Sequence, residues 1–509
     1  MFAKTWTVAL QGIDATLIEA ETQLESGMER MTLVGLAGTS VREAIDRVEA
    51  AIKNAGYIFP RKRTTVNLAP ADLRKEGSAF DLTIAVGLLA ASGQIDGDVP
   101  DRYVMLGELS LDGRLRPVKG VLPAALAVRR FGNRALIVPE QNADEAAVAE
   151  GVDVYPMATL RDVVDFLNGE DVVDPYRIDI RELFERERRY EIDFKEVKGQ
   201  ERAKRALEIA AAGNHNLLMI GPPGSGKTML ARRLPTILPD PTLDEALETT
   251  QIHSVAGTLK LGTALMATRP FRAPHHTISD AGLIGGGTVP VPGEVSLAHR
   301  GVLFLDELPE FKKSTLEAMR QPLEDGEVTI ARVASTVRFP SNFLFVAAMN
   351  PSASGYSDDP RGDYLARQGA GNRRSRISGP LLDRIDLHVP VPAVKAEELT
   401  LKDDGEPSAS IRDRVILARE RQLLRYREVG IFSNAEMNSR HIKTLAKVTE
   451  KAEKALQQAI RRLNLSARAH SRAIKVARTI ADLAGREEIV ESDMLEAVSF
   501  RDLDREAME

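Results

Sequence analysis

At positions 221–228 the chain reads Gly221-Pro222-Pro223-Gly224-Ser225-Gly226-Lys227-Thr228. The apolar run Leu217–Ile220 comes before this stretch, and Met229–Leu234, which has helical spacing, comes after it. A strand, a glycine-rich turn and a helix start form a phosphate-binding loop, because backbone N–H groups and the helix N-terminus then face the phosphates. The pattern predicts that all eight residues bind a nucleoside triphosphate, with Lys227 on the β- and γ-phosphates and Thr228 on Mg²⁺.

Two further apolar runs end in polar residues that suit ATP hydrolysis. Residues 301–305 lead into Asp306 and Glu307, and residues 343–349 lead into Asn350. Beside a phosphate loop, Asp306 is expected to hold Mg²⁺ and Glu307 to polarise the attacking water, although the pair could also be a plain strand end. Asn350 is expected to orient that water or to contact the γ-phosphate. Its alternative role is to cap a turn at the end of a strand.

Composition and charge describe an ordinary globular chain. Hydrophobic residues make up 43% of the 509 and charged residues 28%, which suits three or four domains with ample cores. The longest apolar runs, such as Leu82–Ala91, are too short to span a bilayer, and no signal peptide is visible. The absence of cysteine excludes disulfides and Cys-ligated zinc and fits the cytoplasm, which is the expected location. The net charge of −6 means that any nucleic acid must contact local basic loops.

Changes in composition divide the chain into three domains and two linkers. Residues 1–170 mix predicted strands and helices, and the charge-dense segment 171–193 follows as a linker. Residues 194–395 alternate strands and helices around the phosphate loop, which predicts an α/β nucleotide-binding core. The polar, turn-rich segment 396–410 is expected to be a second linker, and helical periodicity dominates in 411–509.

The first domain contains clear signals for single elements. Apolar residues at helical spacing predict a helix behind Ser40 as N-cap, with Glu43 at the capping-box position. Residues 65–69 and 135–139 are predicted strands, and residues 122–130 are a predicted helix. This domain is therefore expected to be mixed α/β.

The segments Arg269-Pro-Phe-Arg-Ala-Pro-His-His-Thr-Ile-Ser279 and Pro292-Gly-Glu-Val-Ser-Leu-Ala-His-Arg-Gly-Val-Leu-Phe-Leu-Asp-Glu307 resemble the ComM/YifB family of magnesium-chelatase-like AAA+ ATPases. The resemblance covers essentially the whole chain. It implies an α/β AAA+ P-loop core with a helical C-terminal lid, preceded by an α+β domain like the proteolytic domain of Lon. It also implies an insert in the second helix of the core and a hairpin before the first sensor. Residues 327–340 would be that hairpin, and their β-branched, alternating pattern predicts two short strands without the resemblance.

The same resemblance assigns roles to arginines. Arg384 matches the arginine finger of the family, a guanidinium that neutralises charge at the ATP of a neighbouring subunit. A finger acting in trans requires a ring or at least a dimer, and a homohexameric ring is expected. Arg468 resembles the second sensor of the lid, and Arg472, one turn on, is the substitute candidate. The alternatives are a surface pairing of Arg384 with Asp383 or Asp386 and a solvated helical arginine.

Two features raise the question of a further metal. His275 and His276 are adjacent, so their side chains diverge, and a structural or DNA-contact role in the insert is favoured over zinc. Many relatives in the resembled family carry cysteines where this chain has Ser352 and Ser354. No metal is therefore carried over to that loop, and Mg²⁺ bound with ATP remains the expected ion.

The stretch Gly107-Glu-Leu-Ser-Leu-Asp-Gly-Arg-Leu-Arg-Pro-Val-Lys-Gly120 resembles the proteolytic domain of Lon, which cleaves peptides with a Ser–Lys dyad. The resemblance puts Ala79 at the position of the serine and Leu122 at that of the lysine. Ser78 and Lys119 lie nearby in sequence and leave a shifted dyad as an alternative. Without an amine at the position of the base, the domain is expected to be a scaffold or a binding platform.

Three function classes follow. The first is an ATP-driven ring that moves DNA, in which Arg332 and Arg338 of the hairpin contact phosphates, unless both are solvated strand-end arginines. The resemblance implies branch migration of single-stranded or branched DNA during natural transformation, with recombination proteins as candidate partners and no membrane. The second class is a chaperone-like ATPase that remodels a protein or a metal-insertion partner, as magnesium chelatase does. The third, an ATP-dependent protease, is disfavoured by Leu122.

Overall fold

The computed structural model describes residues 1–96, 98–132, 134–260, 262–332, 335–351, 377, 379–393, 405–463 and 467–501. Within these residues the chain forms a seven-stranded sheet, a five-stranded sheet and a C-terminal group of helices. None of the helices found there combines the length and the apolar character needed to cross a membrane.

The N-terminal domain is built on the seven-stranded sheet. The strands of this domain, in and outside that sheet, are β1 (Phe2–Gln11), β2 (Asp14–Glu25), β3 (Arg30–Val34), β4 (Arg63–Ala69), β5 (Tyr103–Met105), β6 (Glu108–Leu109), β7 (Leu115–Arg116), β8 (Ala135–Pro139) and β9 (Val154–Met157). The sheet order is β3-β4-β2-β1-β5-β8-β9, while β6 and β7 pair with each other. β2 runs antiparallel to β1 and β4, and the remaining pairs of the sheet are parallel.

Helices cover both faces of this sheet. They are α1 (Thr39–Asn54), α2 (Asp81–Ala91), α3 (Val121–Phe131), α4 (Ala143–Ala147), α5 (Leu160–Leu167) and α6 (Ile180–Glu187). Because side chains alternate along a strand, β1 directs Ala3 and Ala9 into one apolar cluster with α1, α2 and α5. Trp6 and Val8 point the other way, into a cluster with α3. α2 is buried along its whole length, so the longest apolar run of the sequence is a core helix.

The predicted start of α1 is wrong. The helix begins at Thr39 behind Gly38, and no side chain caps it. The hydroxyl of Ser40 accepts a hydrogen bond from the backbone N–H of Gly77 at 3.0 Å instead. A tertiary contact thus uses the oxygen that local sequence alone assigns to the cap, and the capping box with Glu43 does not form.

The second domain surrounds the five-stranded sheet. Its strands are β10 (Leu217–Ile220), β11 (Phe271–Arg272), β12 (Gly285–Gly286), β13 (Val291–Pro292), β14 (Val302–Leu305), β15 (Glu327–Arg332), β16 (Ser335–Pro340), β17 (Leu344–Met349) and β18 (Leu387–Pro390). Its helices are α7 (Glu201–Gly213), α8 (Lys227–Arg233), α9 (Leu243–Ala256), α10 (Asp280–Ile284), α11 (Glu294–Leu297), α12 (Lys313–Ala318), α13 (Arg320–Asp325) and α14 (Gly379–Leu382). The sheet order is β11-β14-β17-β10-β18 and every pair is parallel, so the carboxyl ends of all five strands lie at one edge.

The C-terminal helices pack onto this domain. They are α15 (Ser408–Tyr426), α16 (Ser439–Leu445), α17 (Glu450–Leu463), α18 (Ala467–Leu483) and α19 (Glu491–Ser499). Val415 of α15 and Ile480 of α18 belong to the same apolar cluster as Leu217 of β10. Buried His215 adds a polar link, because its Nδ1 lies 3.2 Å from Asp386 Oδ2 and its Nε2 lies 2.8 Å from Thr479 Oγ1. The lid and the core therefore share one interior.

Both predicted linkers contain helical residues. α6 lies inside 171–193, where Asp179 accepts hydrogen bonds at its N-terminus and Ile180 packs into the N-terminal domain. α15 begins at Ser408, inside the second predicted linker at 396–410. The high charge density of the first linker made its short amphipathic helix hard to predict, because only two of the eight residues of α6 are buried. The domain boundaries themselves stay a prediction.

Candidate nucleotide-binding site and hairpin

The glycine-rich stretch forms a loop between β10 and α8. Gly224 and Gly226 have φ angles of 75° and 89°, a left-handed region that glycine adopts without strain. A Cβ atom at Gly221 would clash with the carbonyl oxygen of Val391, so the backbone needs glycine there too. The loop thus curls as a phosphate cradle requires, and α8 starts directly behind it at Lys227.

Lys227 is buried in this loop. Its Nζ donates hydrogen bonds to the carbonyl oxygens of Gly221 at 2.7 Å and Pro222 at 2.8 Å. It also donates to Oδ1 of Asn350 at 3.2 Å, which brings the end of β17 into the site. Burial lowers the pKa of the Lys227 ammonium. Three groups from two parts of the sequence, the loop and the residue after β17, therefore meet at one amine.

Thr228 and Asp306 lie side by side. The Thr228 hydroxyl donates a hydrogen bond to Oδ2 of Asp306 at 2.9 Å, and Asp306 directly follows β14. A hydroxyl and a carboxylate next to a phosphate cradle fit Mg²⁺, which binds few protein oxygens and otherwise keeps water and phosphate. No cluster of three His, Cys, Asp or Glu side chains that could hold a metal occurs in the described parts of the chain. The oxygen donors present therefore suit the ion that accompanies ATP.

Glu307 has a strained backbone. Its φ of 51° lies in the left-handed region, and its N–H donates to Oδ1 of Asp306 at 2.9 Å. A non-glycine residue held in this conformation costs roughly 1–3 kcal/mol. The tight turn points the two neighbouring carboxylates in different directions, one towards Thr228 and one away from it.

The arginines predicted as finger, second sensor and substitute sensor all lie next to carboxylates. Arg384 contacts the carboxylate of Glu324 in α13, which is neither of the two aspartates considered from the sequence. Arg468 contacts Asp383, and its side chain is 71% exposed. Arg472, the substitute candidate, is only 13% exposed, with Nε 3.6 Å from Oδ1 of Asp386. Burial therefore separates the two lid arginines: one side chain reaches solvent and the other is part of the core–lid contact.

The hairpin predicted at 327–340 forms from β15 and β16, which pair antiparallel. Val328, Ile330 and Phe339 are buried in the apolar cluster that also contains β14 and β17 residues. Arg338 faces the other way; its side chain is 71% exposed, with NH1 3.7 Å from Oε1 of Glu327. The side chain of Arg332 lies outside the described residues. One face of the hairpin is thus anchored, and the other presents at least one cation.

The positions of the Lon dyad are apolar in space as well as in sequence. Buried Leu122 and half-buried Ala79 belong to the same hydrophobic cluster. Ser78 donates its hydroxyl hydrogen to Glu108, which is a carboxylate and not an amine. Lys119 lines a separate cleft of about 210 Å³ next to Ser254 of the second domain. The surroundings of the shifted-dyad residues therefore offer no Ser–Lys contact among the described residues.

One buried acid, Glu145, was not predicted from the sequence. Glu145 accepts hydrogen bonds from the backbone N–H of Leu122 at 3.0 Å, from Nδ2 of Asn142 at 3.1 Å and from the hydroxyl of Ser254 in α9. Burial raises the pKa of the Glu145 carboxyl above its ordinary value. This acid joins the N-terminal domain to the second domain. Only the fold brings Glu145 and Ser254 together, so no local pattern could reveal the contact. Ser352 and Ser354 lie outside the described residues.

Three family models match successive parts of the chain. The family model of magnesium chelatase, subunit ChlI, matches residues 193–399, that of subunit ChlI of Mg-chelatase matches 20–142, and that of the ChlI C-terminal region matches 405–501. The chain is 45% identical over 501 residues to the competence protein ComM of Haemophilus influenzae, covering 98% of this chain and 97% of that relative. It is 42% identical over 502 residues to the uncharacterized protein YifB of Escherichia coli, with the same shares covered.

A shorter match concerns the N-terminal part. Lon protease of Mycolicibacterium smegmatis is 26% identical over 171 residues, which cover 31% of this chain and 21% of that relative. The AAA+ class to which the central model belongs indicates ATPase activity and use of a nucleotide with Mg²⁺. The full-length matches and the parallel sheet with its phosphate loop indicate the same class of protein. The chain belongs to the ComM/YifB family of magnesium-chelatase-like AAA+ proteins.

Proposed function

We propose that this chain is an ATP-driven, ring-forming DNA motor that catalyses branch migration in recombination during natural transformation. The observation that carries the proposal is the hairpin β15–β16, which exposes Arg338 and packs on the sheet whose strands end at the same edge as the phosphate loop. The similarity to a competence protein supports the same setting. The residues around the phosphate loop suit ATP hydrolysis, which would supply the energy for moving DNA.

Hydrolysis would use the residues that meet at the loop. Lys227 would exchange its bonds to loop carbonyls for phosphate oxygens of ATP. Thr228 and Asp306 would hold Mg²⁺, which neutralises phosphate charge when it is bound. Glu307 would accept a hydrogen bond from the attacking water, and Asn350 would orient that water through its amide. Lys227 already contacts Asn350, and Thr228 already contacts Asp306.

A ring would complete the site. Arg384 is held by Glu324 within its own chain, an ion pair that a γ-phosphate of the neighbouring subunit can replace. Arg468 is exposed on the lid and can approach the γ-phosphate when the lid closes. A finger in trans leaves every site of a closed ring equivalent, and the homohexamer is the ring that the family resemblance implies.

DNA would contact the exposed side of the hairpin. Arg338 can exchange its long contact with Glu327 for a phosphate, which needs a cation but no base readout. Arg332, at the tip of β15, would add a second cation. The N-terminal domain supports the hairpin from the side, because a Cβ at Gly12 would lie only 2.9 Å from Cγ1 of Val337. The Lon-like domain is proposed to act as this platform and not as a protease.

Steady-state ATPase measured with and without single-stranded, duplex and four-way-junction DNA tests the proposal. DNA is expected to stimulate the wild type, and Arg338→Ala and Arg332→Ala to lose stimulation while keeping basal turnover. For each lost phosphate contact the slope of log affinity against log salt should fall by about 1. Arg320→Ala is the matched control, since Arg320 is an exposed arginine of α13 that pairs with Glu317 outside the hairpin.

Glu307→Gln separates the DNA proposal from its alternative. This change should abolish turnover with or without DNA, which shows that the measured activity belongs to this site. If no DNA changes the wild-type rate while Glu307→Gln still removes it, the DNA motor is refuted. A chaperone-like ATPase acting on a protein or metal-insertion partner then becomes the better description.

A further inference from the structure

A cavity of about 420 Å³ lies between the five-stranded sheet and the lid. Its walls include Gly301, just before β14, Leu344 at the start of β17, and Arg419 and Leu423 of α15. The phosphate loop instead follows the carboxyl end of β10, so the cavity and the nucleotide site lie at opposite edges of the parallel sheet. The volume falls in the range of known ligand sites, about 300–1,000 Å³.

Part of the cavity wall is apolar. Phe343 and Leu344 line it and are buried. Leu423 and Phe432 line it as well, but they are 49% and 63% exposed. The chain at Phe432 is held locally, because its backbone N–H donates a hydrogen bond to Oε2 of Glu436 at 3.2 Å. The cavity is therefore open to solvent beside two large apolar side chains.

Most charged side chains around the cavity already have partners within the protein. The ion pairs are Arg269 with Glu245 at 3.0 Å, Arg300 with Glu248 at 3.2 Å and Asp240 with Arg412 at 3.2 Å. Glu436 accepts a hydrogen bond from the hydroxyl of Ser433 at 2.7 Å in addition to the one from Phe432. The acids of the cavity are thus satisfied without a ligand.

Arg419 differs from the other cations of the cavity. Its Nε and Nη2 both donate to the carbonyl oxygen of Ala211, at 3.3 and 3.0 Å, near the end of α7. Among the described residues no carboxylate lies within ion-pair distance of its guanidinium. Burial and the nearby positive charge of Arg269 lower the pKa of Arg419 to about 10. A carboxylate placed in the cavity would compensate this charge.

We propose that this cavity binds a short acidic and apolar segment of a partner protein. Arg419 would pair with an aspartate or glutamate side chain of the segment. Phe343, Leu423 and Phe432 would contact an apolar side chain next to that acid. The proposal concerns a surface outside the nucleotide site and does not depend on the DNA motor.

Charge and exposure favour a polypeptide over other occupants. Asp240, Glu245 and Glu436 line the same cavity and would repel a chain of phosphates, which disfavours nucleic acid. A small anion inside the cavity would leave Phe432 exposed, whereas a polypeptide that crosses the opening covers it. One carboxylate with an apolar neighbour therefore matches the cavity.

Fluorescence anisotropy of labelled peptides mixed with the full chain tests the proposal. The probes are short glycine–serine peptides with an aspartate next to a phenylalanine or a leucine, and matched peptides with asparagine in place of the aspartate. The aspartate peptides are expected to bind saturably, and the asparagine peptides at least about 10-fold more weakly, the loss expected for one charged hydrogen bond. In Arg419→Gln, which keeps a donor for the carbonyl of Ala211, the two sets of peptides should bind alike.

Two neighbouring leucines test the apolar part. Leu423→Ser should weaken binding of the aspartate peptides at least about fivefold, because an apolar contact is lost. Leu424→Ser is the matched control and should bind like the wild type, since Leu424 is 75% exposed and does not line the cavity. Basal ATP turnover, which takes place at the opposite edge of the sheet, shows that each variant is folded.

Several results would overturn the proposal. One is the absence of saturable binding by every aspartate peptide, and another is equal binding of the aspartate and asparagine peptides. A preference for aspartate that persists in Arg419→Gln, or an equal loss in Leu423→Ser and Leu424→Ser, would place the peptide elsewhere. Phenylacetate that displaces the peptide and binds as tightly would make the cavity a site for a small organic anion and not for a partner protein.

Discussion

Two buried lysines, one in each half of the molecule, invite comparison. Lys227 and Lys75 are both enclosed by protein, and burial lowers the pKa of each ammonium. Lys227 sits in a glycine-rich loop beside Thr228, Asp306 and Asn350. Lys75 donates to the carbonyl oxygen of Pro70. A buried amine with a lowered pKa is therefore no sign of a catalytic site by itself; the groups around it decide what it can do.

Replacing each lysine separates these two environments and should give the largest effect. Lys227→Ala is expected to lower kcat/KM for ATP at least about 100-fold, because a fixed cation at the phosphates is lost. Lys75→Met, which keeps the length of the side chain, should leave ATP hydrolysis within about twofold of the wild type. Steady-state ATPase assays on both variants check this. A comparable loss in both would mean that the Lon-like half contributes directly to hydrolysis.

The lid arginines extend the comparison to an exposed and a buried cation. Arg468→Ala should lower kcat by about 10-fold, the loss expected for one charged hydrogen bond to the γ-phosphate, with thermal stability unchanged. Arg472→Ala should lower the free energy of unfolding by about 3 kcal/mol instead, because it leaves Asp386 without one of its partners. ATPase rates and thermal unfolding, measured on both, decide the assignment. If Arg472→Ala keeps its stability but loses turnover, the second sensor is Arg472.

Glu145 lies at the contact between the two halves, and replacing it should have the smallest effect of these changes. The folded-state pKa of this acid is raised above its ordinary 4.5, so the folded protein binds the proton more tightly than the unfolded chain. Its contribution to stability is thus lost as pH rises from about 4.5 through the folded pKa. Glu145→Gln, which cannot titrate, should show a flatter decline of the unfolding midpoint over that window. Thermal unfolding at a series of pH values measures the difference, and parallel curves for the two proteins would contradict it.

The sequence pattern predicted the parts of this fold that depend on neighbouring residues. The phosphate loop, the strand before Asp306 and the hairpin at 327–340 follow from local spacing, because each is built from one continuous segment. The family resemblance predicted the fold classes of the domains. These elements are the ones in which local preference and the final fold agree.

Contacts between distant segments could not be predicted. Ser40 accepts a hydrogen bond from the backbone N–H of Gly77 instead of capping a helix, and Glu145 meets Ser254 across two domains. In each case the partner is set by topology, which residue spacing does not encode. The exposure that separates Arg468 from Arg472 was hidden for the same reason, since both lie on one helix at positions that sequence treats alike.

Branch migration of a synthetic four-way junction tests the central claim most directly. The wild type, Glu307→Gln and Arg338→Ala would be mixed with labelled junction DNA, with and without ATP, and the products separated by size. The wild type should convert the junction into two duplexes only with ATP, Glu307→Gln should not convert it, and Arg338→Ala should be slower. An actively hydrolysing wild type that leaves the junction intact, or equal conversion without ATP, would contradict an ATP-driven DNA motor.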